Sequence, residues 1–582
     1  RSNHVIARQL YRRSNPQDSQ GDCFASAARS DARGDMTTGD IPLNNNHLWW
    51  QTGVVYQIYP RSYADTTASG IGDLRGITSK LDYLSETLGV DAIWLSPFYP
   101  SPMKDFGYDV ADYCDVDPRF GTLADFDELL ESAHQRGIKI IIDWVPNHSS
   151  DQHDWFIESR SSRENPKRDW YVWRDPKFDE DGNRLPPNNW QSLFGGIAWE
   201  WDEATEQYYL HSFVKEQPDL NWRNPAVKTA MFETLRFWLE RGVDGFRVDV
   251  AHFIMKDPAF RDNPPAKVAG EALHRSHGRD YDSQIHIHDH GHPDSHPIYK
   301  EVREILDEYS QTSPRVSVGE IHIFDFEKLV RFYGTPKDGL EFHLPFNFSL
   351  LKMPWEAQAF RKEVDAYEAA LPDWATPNYV LGNHDEGRIA TRYGEMQSRV
   401  AAMLLLTLRG TPTLYYGEEL GMTDVIVPPE KRLDPYGLSV PEFGRDRCRT
   451  PMQWDAAKNA GFSASEPDAL WLPVAENYTE KNVAAALNDP HSHLALYCQL
   501  LALRKESDAL RFGSYRSLDN ASPDVYLYER KTDTETVLIA LNFSDQTHPL
   551  PETDGQILLS TYLDKAVPGK LRPHEGLLIQ TA

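Results

Sequence analysis

Cysteine is scarce. Cys23, Cys114, Cys448 and Cys498 are the only four in 582 residues, and no two form a Cys-x-x-Cys pair. That argues against a disulfide framework and a structural zinc site, and fits reduced thiols in a cytoplasmic protein. Long apolar runs are also missing: the longest, such as AAMLLLTL at 401–408, fall far short of the ~20 residues a membrane helix needs, so no membrane span is expected. Basic residues are outnumbered, 60 against 88 acidic, for a formal charge of −28. Phosphate backbones and anionic membranes would be repelled, which makes nucleic acid an unsuitable partner, whereas a neutral small molecule meets no such barrier. Aromatic residues, by contrast, are plentiful, with 16 Trp and 27 Tyr. Core packing accounts for most of them, but flat faces with one polar atom also suit carbohydrate rings.

A chain of this length exceeds one ordinary core, so a large domain with smaller appendages is expected. Residues 1–35, rich in Ser, Arg, Asp and Asn without a continuous apolar core, read as a flexible N-terminal tail ahead of Met36. From about residue 54, short β-branched runs alternate with amphipathic helical segments. In GTLADFDELLESAHQRGIKIIIDWVPNHSS, Thr122 caps a helix whose apolar positions are Leu123, Phe126, Leu129, Leu130 and Ala133. Gly137 ends it, and 138–142 is the next strand. Asn224 and Pro225 open a second helix, Gly242 closes it, and GFRVDV follows as a strand.

With VVYQIYP, AIWLSP, VSVGEI, LEFHLPF, NYVLGN and TPTLYYG the strand candidates number eight. Eight βα units predict an α/β fold of the (β/α)8 TIM-barrel type, with chemistry at the C-terminal strand ends; a doubly wound open sheet is the structural rival. A Trp-, Asp- and Pro-rich passage at 147–221 is too long for a simple connection and predicts a small domain inserted after strand 3, overhanging the barrel mouth. The barrel then comprises 36–146 and 222–511. Residues 512–582, with DVYLYERK, TVLIALNF, GQILLSTY and GLLIQ, predict a C-terminal antiparallel β-sandwich.

Inside GVDGFRVDVAH, at 242–252, Arg247 and Asp249 stand two apart and so face the barrel mouth together, while Phe246 and Val248 pack outward. A buried salt bridge that merely fixes geometry is one reading; the other is a guanidinium holding an attacking carboxylate ionised. The remaining strand ends favour chemistry: they deliver Glu320, His384, Asp385, Asp143, His148 and Asp109, too many polar groups for a passive core. Two carboxyls flanking a glycosidic bond can hydrolyse it, one attacking the anomeric carbon and one protonating the departing oxygen. Glu320 suits the acid role, because Asp249 and Asp385 would resist a further negative charge nearby and raise its pKa.

The motifs DWVPNH, GFRVD, GE and NHDE, in this order from HLWWQTGVVYQIYPRSY at 47 onward, resemble the α-amylase superfamily (glycoside hydrolase family 13). Within it, QPDLN at 217–221 and RTPMQW at 449–454 resemble the α-glucosidase and oligo-1,6-glucosidase group. The resemblance implies Asp249 as nucleophile, Glu320 as acid/base and Asp385 as transition-state stabiliser. It implies that Asp109, His148, Arg247, His384 and Arg449 hold a terminal glucose stacked on Tyr108, and that retained α-glucose leaves one unit at a time from a small oligosaccharide or disaccharide. In similar enzymes valine after the nucleophile accompanies α-1,6 cleavage and threonine or alanine α-1,4, so Val250 leans towards α-1,6. Transfer to a sugar acceptor uses the same intermediate. Trehalose synthase and sucrose isomerase are near alternatives. A non-catalytic relative such as a transporter heavy chain would need a membrane span and lost acids, both at odds with this sequence.

No cofactor is required by this chemistry. Relatives often carry an acidic loop DxNxDxxxD after the first strand, but here DTTASGIGD at 65–73 leaves only Asp65 and Asp73 as carboxylates, with Thr67 and Ser69 between them. A structural calcium or magnesium is therefore disfavoured against a hydrogen-bonded loop. The run QIHIHDHGHPDSH, holding His286, His288, His290, His292 and His296, lacks the fixed spacing of a preorganised metal site and reads as a mouth loop bordering the aglycone.

Overall fold

A computed structural model describes residues 47–267, 281–439, 441–550 and 554–581. The expected tail at 1–35, with Cys23 and Met36, lies outside them. The eight strands are β1 (Val55–Ile58), β2 (Ala92–Leu95), β3 (Lys139–Trp144), β4 (Gly245–Val248), β5 (Val316–Gly319), β6 (Leu344–Asn347), β7 (Asn378–Tyr379) and β8 (Thr413–Tyr415). They pair in parallel in the order β7-β6-β5-β4-β3-β2-β1-β8. Val380, one residue past β7, bridges in parallel to Thr413 and brings the two edges together. The sheet is thus a nearly closed TIM barrel, which removes the open edges that a doubly wound sheet would keep.

Local signals explain the helices. Helix α1 (Leu123–Gln135) starts where the Thr122 hydroxyl accepts from Asp125 N–H and Asp125 reaches back, a reciprocal cap. Its Phe126, Leu129, Leu130 and Ala133 are buried as the spacing predicts. Helix α2 (Pro225–Arg241) begins under Asn224 and stops at Gly242, whose φ of +104° only glycine adopts easily. Gly245 has a different reason: a Cβ there would sit 2.4 Å from the Val316 carbonyl oxygen, so the β4–β5 pairing tolerates no side chain.

Between β3 and α2 stand the helix Asp154–Ser161 and an antiparallel sheet of Trp173–Arg174, Gln207–Leu210 and Trp199–Asp202. Trp190, Trp199 and Tyr208 form their own small core there. At the C-terminal end, β9 (Ser514–Leu518), β10 (Val525–Lys531), β11 (Thr536–Asn542), β12 (Gln556–Ser560) and β13 (Gly576–Gln580) make an antiparallel sheet in the order β9-β10-β11-β13-β12. Its second layer is only a ribbon of His548–Pro549 with Lys570–Leu571, over a core of Val525, Leu527, Leu538, Leu577 and Ile579. No helix among the described residues is long and apolar enough to cross a membrane, and Cys448 and Cys498 are unbridged.

Candidate active site

Beyond the C-terminal ends of the strands lies a cavity of about 430 Å³, lined by Tyr108, His148, Asp249, Glu320, His384 and Asp385 among others. That is within the roughly 300–1,000 Å³ usual for small-molecule sites. Register builds its floor. Asp143 of β3 stands beside Arg247 of β4, and the ladder runs past both strands: Asp249 N–H donates to the Trp144 carbonyl at 2.8 Å and Glu320 N–H to the Val248 carbonyl at 2.9 Å.

Arg247 is the hub. Nη1 donates to Asp143 at 2.5 Å and to Asp249 at 2.7 Å, while Nη2 donates to Glu320 at 2.5 Å. Arg247 is 1% exposed and is absent from the lining, so it backs the acids instead of facing the cavity. Asp143 also accepts from the Trp94 indole at 2.9 Å. Burial pushes its carboxyl up to about 6 although Arg247 opposes this.

The charge distribution on the two acids differs from the sequence expectation. Burial would raise both. On Glu320 the Arg247 charge and a hydrogen bond from His322 Nε2 at 2.9 Å outweigh it and hold the carboxyl low, and Val250 N–H adds a contact at 2.9 Å. Asp249 has one guanidinium contact against burial and the charges of Glu320 and Asp143, and stays well above the ordinary aspartate range. The expectation that negative neighbours protonate Glu320 overlooked that the second arm of the fork reaches it.

Val250, next to the nucleophile candidate, has φ 34° and ψ 48°, left-handed values that a β-branched residue adopts only under strain of about 1–3 kcal/mol. The turn aims its N–H at Glu320 and packs its side chain among Phe194, Phe213, Phe253 and Tyr436.

Asp385, also in the lining, accepts from Arg449 at 2.8 Å and Arg445 at 3.1 Å, and lies 3.3 Å from His384 Nε2. Burial opposes ionisation, but the Arg445 and Arg449 charges hold the carboxyl far below the aspartate range. His384 is pressed down to about 3 by burial and is neutral; its ring meets Gln57 at 2.7 Å and the Tyr108 hydroxyl at 2.7 Å. Arg449, 0% exposed, lies behind the wall and also holds the His384 carbonyl at 2.7 Å. His148 lines the cavity, and burial lowers it to about 4.

Asp109 does not face the cavity. Its oxygens accept from Ser101 Oγ, Asp105 N–H and Lys104 N–H at 2.8–2.9 Å, so it staples the loop after β2. The lining residue is Asp105, four positions earlier in DFGYD, paired with Arg445 at 2.6 Å. Sequence reasoning missed both Asp105 and Arg445. The available signal was that DFGYD offers two acids separated by a tight turn, and only one can point inward while the other closes the turn.

The 65–73 loop does not fit a hard cation. Asp65 accepts from Thr67 N–H and hydroxyl, Gly70 N–H and Ser463 Oγ at 2.6–3.0 Å. Asp73 accepts from Thr66 and Gly76, and Ser69 Oγ turns to the Ile71 carbonyl. Donor hydrogens occupy the positions an ion would need.

Residues 57–513 match the model of the alpha amylase catalytic domain. The chain belongs to the α-amylase family. It is 40% identical to an oligo-1,6-glucosidase of Parageobacillus thermoglucosidasius, over 91% of this chain and 98% of that one. It is 41% identical to maltase 1 of Drosophila virilis, over 92% and 88%. Among solved structures of the α-amylase family's relatives, the alpha-glucosyl transfer enzyme XgtA superposes with a TM-score of 0.86 at 42% identity, covering 92% of this chain and all of that one. The trehalulose synthase MutB from Pseudomonas mesoacidophila MX-45 superposes with a TM-score of 0.81 at 36% identity, with the same coverage. The likeness to these relatives extends over nearly the whole length of the chain.

Proposed function

We propose that the protein is an exo-acting, retaining α-glucosidase of short α-glucosides, with Asp249 as nucleophile, Glu320 as acid/base and Asp385 as stabiliser of the transition state. The observation that carries this reading is the Arg247 fork, which holds both acids together in the cavity that Asp385 also lines. Asp249 attacks the anomeric carbon as Glu320 gives its proton to the leaving oxygen; Glu320 then takes a proton from water, which displaces Asp249 and returns the α configuration. Asp385, ionised, accepts hydrogen bonds from sugar hydroxyls that strengthen as the ring flattens.

The reaction needs Asp249 ionised and Glu320 protonated, and the other singly protonated form differs only in the position of one proton between coupled carboxyls. A glycosidic oxygen arriving at Glu320 favours the reactive form, because it can accept a hydrogen bond but has none to donate. Asp105, Arg445 and Asp385, joined by ion pairs, line the cavity together with Tyr108 and offer a grip for one terminal sugar, which supports release from a chain end. Val250 supports a lean to α-1,6 linkage.

Transfer to a sugar acceptor is the second reading. It is favoured by an aromatic rim that can hold an acceptor and by the likeness to an alpha-glucosyl transfer enzyme and a trehalulose synthase.

The test is incubation with maltose, isomaltose, sucrose and trehalose separately, with products and their anomeric form followed by proton NMR. α-Glucose as the first product from maltose or isomaltose is expected, and β-glucose would reject the mechanism. Rearranged sucrose with no hydrolysis of the other three would replace it with the isomerase alternative.

A further inference from the structure

The histidine-rich run is not absorbed by the catalytic machinery. Its middle folds so that one ligand atom each from His286, Asp289 and His290 lies within 4.8 Å of the others. We propose that these three side chains bind one transition-metal ion of the zinc class at the edge of the cavity.

Four observations point there. First, His286 is flanked by two acceptors. Its Nε2 donates to the Tyr281 carbonyl at 2.8 Å, and its Nδ1 faces the Asp289 carboxylate at 2.5 Å. A carbonyl-bound N–H on the far nitrogen is the usual way a metal-binding imidazole is oriented, and it leaves Nδ1 as the ligand atom. Second, the other Asp289 oxygen, Oδ1, has no hydrogen-bond partner among the described residues although Asp289 is only 6% exposed. Third, His290 makes no hydrogen bond among the described residues, and its ring stacks on that of His286 at 5.8 Å. Fourth, Tyr281 covers the outer face of His286 at 3.7 Å, so the ring cannot swing away easily.

Two imidazoles and a carboxylate suit zinc, copper or nickel ahead of calcium or magnesium. An ion about 2.1 Å from each donor needs them roughly 3.4 Å apart, so the side chains have to close by an ångström or so. His290 is half-buried and lines the cavity, leaving a fourth position for water or a ligand oxygen.

The location gives the ion an effect. His290 packs on His252 at 5.3 Å and Phe253 at 4.9 Å, in the turn that follows Asp249. An occupied site would stiffen the aglycone side of the cavity and inhibit by raising KM. That consequence rests on the glucosidase reading, whereas the binding site does not.

The test is a titration of the full chain with Co²⁺, read by the visible d–d bands of a four-coordinate site, with Zn²⁺ competition. One equivalent is expected to bind, with affinity at least tenfold weaker in Asp289→Asn, His290→Gln and His286→Ala, and within about twofold of the parent in His288→Ala and His292→Ala, which leave the three donors in place. If His286→Ala loses the near-UV dichroism of the parent, the other two variants carry the comparison. Parental affinity in Asp289→Asn and His290→Gln, an equal loss in the two controls, or no Co²⁺ bound up to about 1 mM would each overturn the site.

Discussion

At the floor of the cavity Arg247, Asp143, Asp249 and Glu320 are joined by charge-assisted hydrogen bonds of 2.5–2.7 Å. At its rim Phe194, Phe213 and Tyr436 meet ring to ring, with centroids 5.0–5.6 Å apart. The floor hangs from neighbouring strands whose register fixes every partner; the rim comes from separate connections, at 190–214, 250–253 and 436–443. Rigid polar groups whose geometry is set before substrate arrives suit bond breaking, since little reorganisation remains at the moment of reaction. Apolar faces from several loops suit choice among leaving groups and acceptors. Substitutions at the floor should therefore strike turnover, and those at the rim should shift product ratios.

The largest effect is expected at the two acids. Asp249→Asn and Glu320→Gln should each lower kcat by roughly 10²–10⁴-fold or more with the fold retained, measured by initial rates and circular dichroism. Near-parental turnover in either would remove the floor's assigned role. Arg247→Lys should cost about 10²-fold in kcat/KM, because a single ammonium cannot serve three carboxylates in a forked geometry.

Asp105 and Asp109 divide the comparison within one loop. Asp105→Asn should raise KM by about tenfold by freeing Arg445 from its cavity-side partner. Asp109→Asn should leave KM near the parent value and lower stability by about 1–2 kcal/mol, read by denaturant unfolding, because the amide cannot accept all three bonds. The opposite pattern would return Asp109 to the substrate.

A smaller shift concerns pH. kcat/KM should follow a bell: a second proton on the Asp249–Glu320 pair removes the nucleophile, and loss of the last one removes the acid. The His322 hydrogen bond lowers Glu320, so His322→Phe should raise that group's pKa and move the alkaline limb to higher pH. A limb that stays in place would mean that Glu320 does not govern it. The smallest effect is expected at the rim, where Val250→Thr keeps the branched shape. The ratio of isomaltose to maltose hydrolysis should fall by roughly three- to tenfold, which is the scale of one pocket contact.

Much of the barrel was legible in the sequence because its signals are local: the Thr122 and Asn224 caps, the Gly242 stop and eight β-branched runs each occupy a few residues. The charged strand ends were legible for the same reason, since a period of two places Arg247 and Asp249 on one face whatever surrounds them. Asp105 was not, because which of two acids in a turn points inward depends on what packs beneath it. Arg445 was not, because its three carboxylate partners lie 11, 60 and 340 positions away in the chain.

The sequence by itself therefore determined which residues carry charge, which strands present them, and that a neutral saccharide suits so acidic a chain. Only the tertiary structure decided how the charge is shared. One guanidinium touches three carboxylates from neighbouring strands, so the ionisation of each acid depends on the distances to the others, and those distances exist only once the strands are in register.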